Sequence, residues 1–279
     1  MKNQKSVIES VKEKAKKKRC RIGISILKEE DEILDSLKKA GEFADVIIYS
    51  DHEIEGFETK VFKTEEEIGR ALVADFKNGE IDQFVRGQVD DFGVVDEFKR
   101  QFDIEESEKR VAFAMVEDIK GNQFFLAVAS NPEGQDLEDK IRIMNGVTDW
   151  MKNEFNMDPK VAVMATCRPG SVGKDPIMTK SYEEAEEVVK FLEKKGVEAK
   201  NIHIELQSAV PWANVVMASN GTIGNQIFRA MVFLGGGKAL FVPTVFPGKA
   251  IYEDNSRNET DYFMHIVFAC AIANEAKSN

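Results

Sequence analysis

The sequence predicts an α/β protein of two domains, built on mostly parallel sheets with helices on both faces. Apolar runs of strand length alternate along the chain with longer segments of helical periodicity, which is the pattern of such sheets. The 279 residues are enough for one large α/β domain or two smaller ones. A hydrophobic fraction of 43% is typical of globular proteins. The sequence contains no run of eighteen apolar residues, so it predicts no membrane span.

The chain opens on a basic segment. Residues 1–21 contain nine Lys or Arg against two Glu, a charge of +7, which leaves −18 for the remainder of the chain. This acidic remainder argues against nucleic acid as a partner. Val7, Ile8, Val11 and Ala15 recur at helical spacing. We therefore expect an amphipathic helix with a solvated lysine face rather than a tail that binds nucleic acid or a membrane surface.

Apolar runs bounded by turn-forming residues predict the remaining strands and helices. The predicted strands are Arg21–Ile26, Val46–Tyr49, Gln83–Val85, Val111–Val116, Phe124–Ala129, Val161–Ala165, Ile202–Glu205, Val215–Ala218 and Leu240–Val242. The predicted helices are Glu30–Ala40, Glu65–Phe76, Val94–Phe102, Leu137–Phe155, Tyr182–Lys195, Ile223–Phe233 and Glu259–Ala276. This alternation indicates parallel strands connected by helices.

A predicted hairpin interrupts the parallel pattern near the middle of the chain. Its two strands are joined across Lys120-Gly121-Asn122, and an acidic connector, residues 103–108, precedes it. We therefore expect a change of domain at this point and a second change near Pro247-Gly248. The predicted first domain comprises residues 1–108 and 247–279, and the predicted second, inserted domain comprises residues 109–246.

The segment Ser219–Asn225 follows a predicted strand and opens a helix. A strand, a glycine turn and a helix start direct free backbone N–H groups and the positive helix end toward an anion, for which phosphate is the obvious candidate. Gly224 permits a close backbone approach, and Thr222 and Asn225 can donate hydrogen bonds. An ordinary helix cap with a tight turn explains the same residues, and the sequence leaves both interpretations open.

The segment Asp254-Asn255-Ser256-Arg257 precedes the last predicted helix. Arginine suits a phosphoryl group because its planar fork binds two oxygens with a permanent charge. A carboxylate just beyond it, at Asp261 or Glu259, is able to accept a proton. The alternative is a helix cap at Ser256 or Asn258 followed by acidic residues in the first turn, an arrangement that the helix dipole favours.

Two further strand ends carry cations. The loop from Thr166 to Asp175 contains Arg168 and Ser171 at the end of a predicted parallel strand, where α/β proteins place ligands. It is not a Walker A loop, because Asp175 stands where Ser or Thr is required. Arg86, at another strand end, is interpreted either as a phosphate contact or as half of a surface ion pair.

Several classes of site are excluded by pattern. Gly235-Gly236-Gly237 follows a helix and precedes a strand, which is the reverse of a dinucleotide fingerprint. Neither a GxSxG nor an HExxH motif occurs. The three histidines are isolated and the three cysteines form no CxxC pair, so we expect no metal site and no disulfide. With no secretory signal visible, these thiols favour the cytoplasm.

The order of these segments resembles that of phosphotransacetylases and phosphotransbutyrylases over nearly the whole chain. The segments that carry the resemblance are Arg21–Ile24, Glu29–Leu34, Ala44–Ile48, Val85–Asp90, Asn131-Pro132, Cys167–Asp175, Ile223-Gly224-Asn225, Phe233–Gly236 and Asp254–Arg257. Within that superfamily the chain is most similar to MtxX-type proteins of methanogens, also described as methanogen marker protein 4 and provisionally named as methyltransferase subunits.

The resemblance implies a fold like those of phosphotransacetylase and isocitrate dehydrogenase, with the site in a cleft between the domains. It implies transfer of an acyl group between phosphate and coenzyme A, with coenzyme A as cosubstrate and no tightly bound cofactor. Ser256 and Arg257 would contact the phosphoryl or carbonyl oxygens. Asp261 is the candidate base, although the spacing from Arg257 is shorter than in the family and leaves Glu259 as a competitor.

The same resemblance assigns further residues to the substrate phosphate. These are Thr222, Gly224, Asn225, Arg86, Arg168 and Ser171. It also suggests a homodimer formed through the second domain. Two alternatives remain open: a methyltransferase component linked to methanogenesis, as the MtxX name states, and a noncatalytic protein that binds a metabolite.

Overall fold

The computed structural model describes residues 6–276, which form two compact units. The first unit contains the described residues up to Arg110 and those from Phe241 onward, and the second contains Val111–Leu240. The sequence places the two junctions at 108/109 and 246/247, whereas the units change at 110/111 and 240/241. The second junction differs because one continuous strand, Lys238–Phe246, runs through it. The cleft between domains stays a prediction.

The regular elements follow one another as strands and helices in turn. The strands are β1 (Cys20–Ser25), β2 (Ala44–Ser50), β3 (Glu58–Val61), β4 (Gln83–Val85), β5 (Val111–Glu117), β6 (Gln123–Ala127), β7 (Lys160–Met164), β8 (Glu198–His203), β9 (Val215–Met217), β10 (Lys238–Phe246) and β11 (Ala250–Asp254). The helices are α1 (Val7–Ala15), α2 (Asp31–Ala40), α3 (Glu65–Asn78), α4 (Asp91–Gln101), α5 (Leu137–Phe155), α6 (Pro176–Lys194), α7 (Leu206–Ala209), α8 (Gly221–Arg229) and α9 (Phe263–Ala276).

The predicted α/β class with mostly parallel strands is confirmed. Every predicted strand and helix overlaps an observed one, but the sequence patterns missed β3 and β11. Two helix starts also differ from prediction. α6 begins at Pro176, six residues early, because Asp175 caps it and proline suits the first helical position. α9 begins at Phe263, four residues late, because Glu259 belongs to the preceding turn.

The amphipathic helix predicted near the N-terminus is present as α1. Ser6 caps it through a reciprocal pair of hydrogen bonds with Glu9. Val7, Val11 and Ala15 are buried, and α1 packs against α9. Residues 1–5 of the predicted basic segment lie outside the described residues.

The first unit is built on strands in the order β3-β2-β1-β4-β11-β10. All neighbouring pairs are parallel except β11 and β10, which form an antiparallel pair. α9 is apolar all round and buried, and it packs on β1, β4 and β11. α3 and α4 pack together over an aromatic cluster in which Phe84, Phe98 and Tyr252 have ring centroids about 5 to 6 Å apart.

The second unit is built on strands in the order β5-β6-β9-β7-β8. The predicted hairpin is confirmed, because β5 and β6 are antiparallel and Gly121 in their connection has φ +83°. The other neighbouring pairs are parallel. The rings of Phe113 and Trp150 meet edge to face at 5.0 Å, so α5 packs against this sheet through a buried aromatic contact.

Within residues 6–276, no helix is long and apolar enough to cross a bilayer.

The topology of the first unit brings three strand ends together. β1 pairs parallel with β4, and β4 pairs parallel with β11, so Ser25, Val85 and Asp254 end at the same edge of the sheet. The loops that follow these strands therefore emerge side by side, which is where open α/β sheets place ligands.

Gly87, in one of these loops, is expected to be the least replaceable glycine of this edge. It has φ +71°, and a Cβ there would lie 2.0 Å from the Ser25 carbonyl oxygen. We expect Gly87→Ala to lower the free energy of unfolding by about 3 kcal/mol or more, since it adds overpacking to the left-handed backbone cost.

Gly79→Ala is the matched control for this change. Gly79 has φ +77°, but a Cβ there would meet no atom within 4 Å. Its expected cost is therefore the backbone term alone, about 1 to 2 kcal/mol. Urea unfolding of both variants measures the difference, and equal losses would show that the contact with Ser25 does not matter.

Candidate functional site

The loop after β4 is tied to the loop after β1 by buried polar side chains. The Ser25 hydroxyl donates to the Arg86 carbonyl oxygen at 2.5 Å and accepts from the Gln88 and Val89 amides at 2.8 and 3.0 Å. In return, the Gln88 side-chain oxygen accepts from the amides of Leu27 and Lys28. The backbone at this edge is therefore held by side chains rather than left to vary.

Asn255 ties the loop after β11 to the same place. Its side-chain oxygen accepts from the Gly87 amide at 2.7 Å, and its Nδ2 donates to the carbonyl oxygens of Gly87 and Ser256 at 2.9 and 2.8 Å. Asn255 is 5% exposed. One buried amide thus fixes the start of the turn that carries Ser256 and Arg257.

The guanidinium of Arg86 is bonded to groups of the protein itself, and its assignment to the substrate phosphate stays a prediction. It is buried, and its guanidinium donates to the Asp254 carboxylate, to the Asn255 carbonyl oxygen and, at 2.6 Å, to the Val89 carbonyl oxygen. Burial alone would lower the pKa of Arg86, but the charge of Asp254 raises it, so the side chain remains a cation. The pair is a buried one, not the surface ion pair considered from the sequence.

Arg257 has the opposite environment. Its side chain is 46% exposed, with Nη2 3.1 Å from Glu65 Oε1 and Nη1 3.7 Å from Asp90 Oδ1. Neither approach forms a hydrogen bond, and Arg257 donates none to any described residue. The neighbouring Ser256 hydroxyl likewise makes no hydrogen bond within residues 6–276. Two adjacent side chains therefore present unused donors at the strand edge.

The two candidate bases differ in access. Asp261 is exposed, and its Oδ1 accepts from the Phe263 amide at 3.0 Å at the start of α9. Glu259 is buried, and both of its carboxylate oxygens are engaged, one by the Ser256 amide and one by His265. Of the two carboxylates, only that of Asp261 is open to a proton from an external thiol.

Glu253, Glu259 and His265 form a buried cluster beneath this turn, which we call the Glu-His-Glu cluster. His265 Nδ1 lies 2.7 Å from Glu253 Oε1, and its Nε2 lies 2.7 Å from Glu259 Oε2. All three side chains are at most 4% exposed. The sequence showed three isolated histidines and missed this cluster, because its members come from a strand end, a turn and a helix.

The cluster shifts the protonation of its members. Burial alone would lower the pKa of His265, but the charge of Glu259 and hydrogen bonds to both carboxylates raise it to about 10. Burial raises the pKa of Glu253 to about 7, although its hydrogen bond with His265 opposes that change. No grouping of His, Cys, Asp and Glu within residues 6–276 is arranged to hold a metal ion.

In the second unit, the start of α8 is covered by the chain's own backbone. A Cβ at Gly221 would lie 2.0 Å from the Ser130 carbonyl oxygen, and one at Gly224 would lie 2.0 Å from the Val128 carbonyl oxygen. Val128 itself has φ +58°, a strained conformation for a β-branched residue. The close approach of residues 128–130 therefore requires both glycines, whether or not an anion binds at this helix start.

The polar side chains of this helix start also have protein partners. The Thr222 hydroxyl donates to Asn131 Oδ1 at 2.7 Å, and Asn225 Nδ2 donates to the Ala129 carbonyl oxygen at 3.3 Å. Asn220 caps the helix by accepting from the Ile223 amide. This geometry is that of an ordinary capped helix packed under a loop, and the phosphate role of Thr222, Gly224 and Asn225 stays a prediction.

The loop after β7 is open and exposed. Arg168 pairs with Glu205 at 2.8 Å while its side chain remains 63% exposed. Ser171 lies in a single 3-10 turn, Pro169–Ser171, and its side chain is partly exposed. Their assignment to a phosphate also stays a prediction.

The chain is similar to two groups of known proteins, one in sequence and one in fold. No protein-family model matches the chain. A protein of Methanosarcina barkeri, provisionally named as methyltransferase Mtx subunit X, is 27% identical over 266 residues, which cover 93% of this chain and 96% of the relative. The protein of that name from Methanosarcina mazei is 26% identical over 273 residues, covering 96% and 95%. The chain is similar to Mtx subunit X along almost its whole length.

Solved structures with a similar fold include phosphotransacylases. A branched-chain phosphotransacylase from Enterococcus faecalis matches with a TM-score of 0.68 at 17% identity, covering 90% of this chain and 99% of the neighbour. A phosphotransacetylase from Staphylococcus aureus matches with a TM-score of 0.60 at 17% identity, covering 95% and 98%. The resemblances stated from the sequence, to MtxX-type proteins and to phosphotransacetylases, are both confirmed. The resemblance to phosphotransacetylases concerns the fold alone.

The two arginines of the strand edge are expected to differ in their effect on stability. Arg86→Ala leaves Asp254 buried without its ion pair, so we expect the free energy of unfolding to fall by about 3 to 5 kcal/mol. Arg257→Ala removes only exposed ion pairs, which are worth less than about 1 kcal/mol. Urea unfolding measures both variants, and a similar small loss for each would contradict the structural role of Arg86.

The Glu-His-Glu cluster predicts a stability that falls as pH rises. The folded pKa of His265 is raised from its ordinary value of 6.5 to about 10. Its contribution is therefore complete below pH 6.5 and is lost as pH rises through about 10. Glu253, raised from 4.5 to about 7, acts in the same direction at lower pH. We expect His265→Gln to be less stable than wild type by about 4 kcal/mol at pH 6, and the difference to shrink toward pH 10.

His52→Gln provides the control for that measurement. His52 also lies between two carboxylates, with Asp51 at 2.6 Å and Glu29 at 2.9 Å, but it is 42% exposed. Urea unfolding at several pH values should give this variant the profile of the wild type. A difference between wild type and His265→Gln that does not change with pH would contradict a charged His265.

Proposed function

We propose that this protein binds an acyl phosphate through Ser256 and Arg257 and transfers the acyl group between phosphate and coenzyme A. The observation that carries the proposal is the pairing of a free hydroxyl with a guanidinium that donates no hydrogen bond to the described residues. Both lie on a turn held in place by Asn255 and Glu259. The fold shared with phosphotransacylases supports the same choice.

The charge of the site suits a phosphoryl group. Arg257 is a permanent cation whose planar fork can bind two phosphate oxygens at once. Its contacts with Glu65 and Asp90 are exposed ion pairs, which contribute little and are replaced at low cost. The Ser256 hydroxyl can donate to a third oxygen or to the carbonyl oxygen of the acyl group.

The proposed chemistry breaks one bond and forms another. The coenzyme A sulfur attacks the acyl carbonyl carbon, the C–S bond forms, the C–O bond to phosphate breaks, and inorganic phosphate leaves with both electrons. A thiol with pKa near about 8.5 is mostly protonated at neutral pH, so a base is needed. Asp261 accepts that proton, and Arg257 stabilises the charge on the departing phosphate.

A second function is carried by the sequence relatives. The Mtx subunit X proteins that match 93% to 96% of this chain have names that assign them to a methyltransferase. A component of that kind would use the same anion site to hold a partner molecule or a methyl donor. A third possibility keeps the anion site and has no catalytic step.

The test incubates the purified protein with coenzyme A and acetyl, propionyl and butyryl phosphates and follows thioester formation. We expect turnover with at least one donor, and a loss of kcat/KM by about 100-fold or more in Arg257→Ala, because a charged contact to the leaving group is removed. Arg70→Ala is the control, since Arg70 is an exposed arginine of α3 that forms an ion pair with Glu66. It should retain wild-type turnover.

Asp261→Asn tests the base separately. Asparagine keeps an acceptor for the Phe263 amide, so that hydrogen bond survives while the proton acceptor is lost. Absence of thioester with every donor would overturn acyl transfer. Phosphate binding without turnover would then favour the noncatalytic protein, and methyl transfer from a labelled donor would favour the methyltransferase component.

A further inference from the structure

The Glu-His-Glu cluster has no part in the proposed chemistry, yet it touches the turn that carries Ser256 and Arg257. Its histidine stands on the first turn of α9, a helix otherwise buried among apolar side chains. The groups that face the imidazole are Glu253 from β11, Glu259 from the turn and Tyr262, whose ring centroid lies 6.0 Å away. Ionisable residues in such a place are costly, which raises the question of what the cluster does.

The hydrogen-bond distances of the cluster bear on the protonation state of His265. A neutral imidazole carries one N–H, whereas each ring nitrogen here faces a carboxylate oxygen at 2.7 Å. An ionised carboxylate accepts hydrogen bonds and donates none. When both carboxylates are ionised, both contacts are satisfied together only if His265 is an imidazolium.

Glu259 connects this cation to the candidate site. One carboxylate oxygen accepts from His265 Nε2 and the other accepts from the Ser256 amide. The Glu259 amide donates back to the Ser256 carbonyl oxygen at 3.1 Å. Residues 256 and 259 are thus closed on each other in both directions, and Arg257 lies within that closed turn.

Removal of the histidine would release Glu259 from this geometry. The carboxylate would be buried beside Glu253 with no cation between them, so protonation, rotation or solvent entry would follow. Protonation alone leaves the carboxyl group a neutral acceptor, whereas rotation or solvent entry breaks the bond from the Ser256 amide. The turn would then sample conformations in which Ser256 and Arg257 no longer point to one ligand.

We infer that His265 is a positioning residue, which orients Glu259 so that the turn presents Ser256 and Arg257 together to a phosphoryl ligand. The ligand in this statement rests on the proposed function, whereas the effect on the turn does not. His265 acts through Glu259 and contacts no reacting atom.

The first test measures the turn without any ligand. In wild type, 15N spectra of the ring should show an imidazolium from pH 5 to 9, and the Ser256 amide should be protected from hydrogen exchange. In His265→Gln we expect exchange at Ser256 and Glu259 to rise by about tenfold or more. His52→Gln, at the exposed histidine between two carboxylates, should leave both amides unchanged.

Glu259→Gln provides a second variant if His265→Gln fails to fold. A glutamine keeps an acceptor for the Ser256 amide and can donate to a neutral His265 Nε2, so the bond geometry is retained without the charge. We expect this variant to protect the Ser256 amide nearly as well as wild type while His265 becomes neutral near pH 7. Glu259→Ala, which has no acceptor, should lose the protection.

The second test measures ligand binding by calorimetry, with inorganic phosphate and acetyl phosphate as the probes. We expect His265→Gln to weaken binding by about tenfold and Glu259→Gln, in which the turn is retained, to weaken it much less. A neutral His265 in the wild type, or unchanged Ser256 exchange in folded His265→Gln, would overturn the inference. Absence of phosphate binding by the wild type would overturn the proposed function, while the exchange measurement would still decide the role of His265.

Discussion

The buried ion pair between Arg86 and Asp254 is the constraint on which the candidate site depends. Placing two charges inside a protein costs several kcal/mol per ion, and the loss is offset only when the geometry and the remaining hydrogen bonds are good. Here the guanidinium also donates to the carbonyl oxygens of Val89 and Asn255, and Asn255 in turn holds Gly87. The ends of β4 and β11 are therefore fixed relative to each other before any ligand arrives.

This constraint separates the roles of two arginines at one edge of the sheet. The guanidinium of Arg86 is hydrogen-bonded to groups of the protein. The side chain of Arg257 is 46% exposed and donates no hydrogen bond to a described residue. Glu65 and Asp90 keep the guanidinium of Arg257 near the surface without hydrogen-bonding it. The backbone that carries Arg257 is fixed before an anion binds, so binding does not have to order the turn, which is why fixing the turn matters for affinity.

Much of the fold was predictable from sequence because local patterns encode it. The alternation of strand-like and helix-like segments gave the class, and Gly121 between two apolar runs gave the hairpin. Local patterns failed where the cause was distant in sequence. β11 was missed because residues 250–254 form a strand only beside β4 and β10. The glycine at position 224 is compatible with an anion site, but the close backbone contact that requires a glycine there comes from a loop some 95 residues earlier in the sequence.

The site was predictable only in part, for the same reason. Arg257 and Ser256 followed from a short motif, but nothing near Arg86 in the sequence reveals Asp254 as its partner. His265 looked isolated because its carboxylates precede it by six and twelve residues, a spacing that no single helix or strand brings together. The chemistry of a buried cluster depends on tertiary contacts, and these are the information that a single sequence does not display.

The relatives are named as methyltransferase subunits and the fold neighbours as phosphotransacylases. One fold commonly carries different functions, because function resides in the site and not in the fold. The proposed function requires that the anion is held by Ser256 and Arg257 on the turn after β11. A crystal structure with inorganic phosphate or a stable acyl phosphonate bound tests this directly. The account predicts ligand oxygens within hydrogen-bond distance of Arg257 and the Ser256 hydroxyl, with the Arg86–Asp254 pair intact. A ligand bound to Arg86 with that pair broken, or to the amides of Gly221–Asn225 alone, would contradict it.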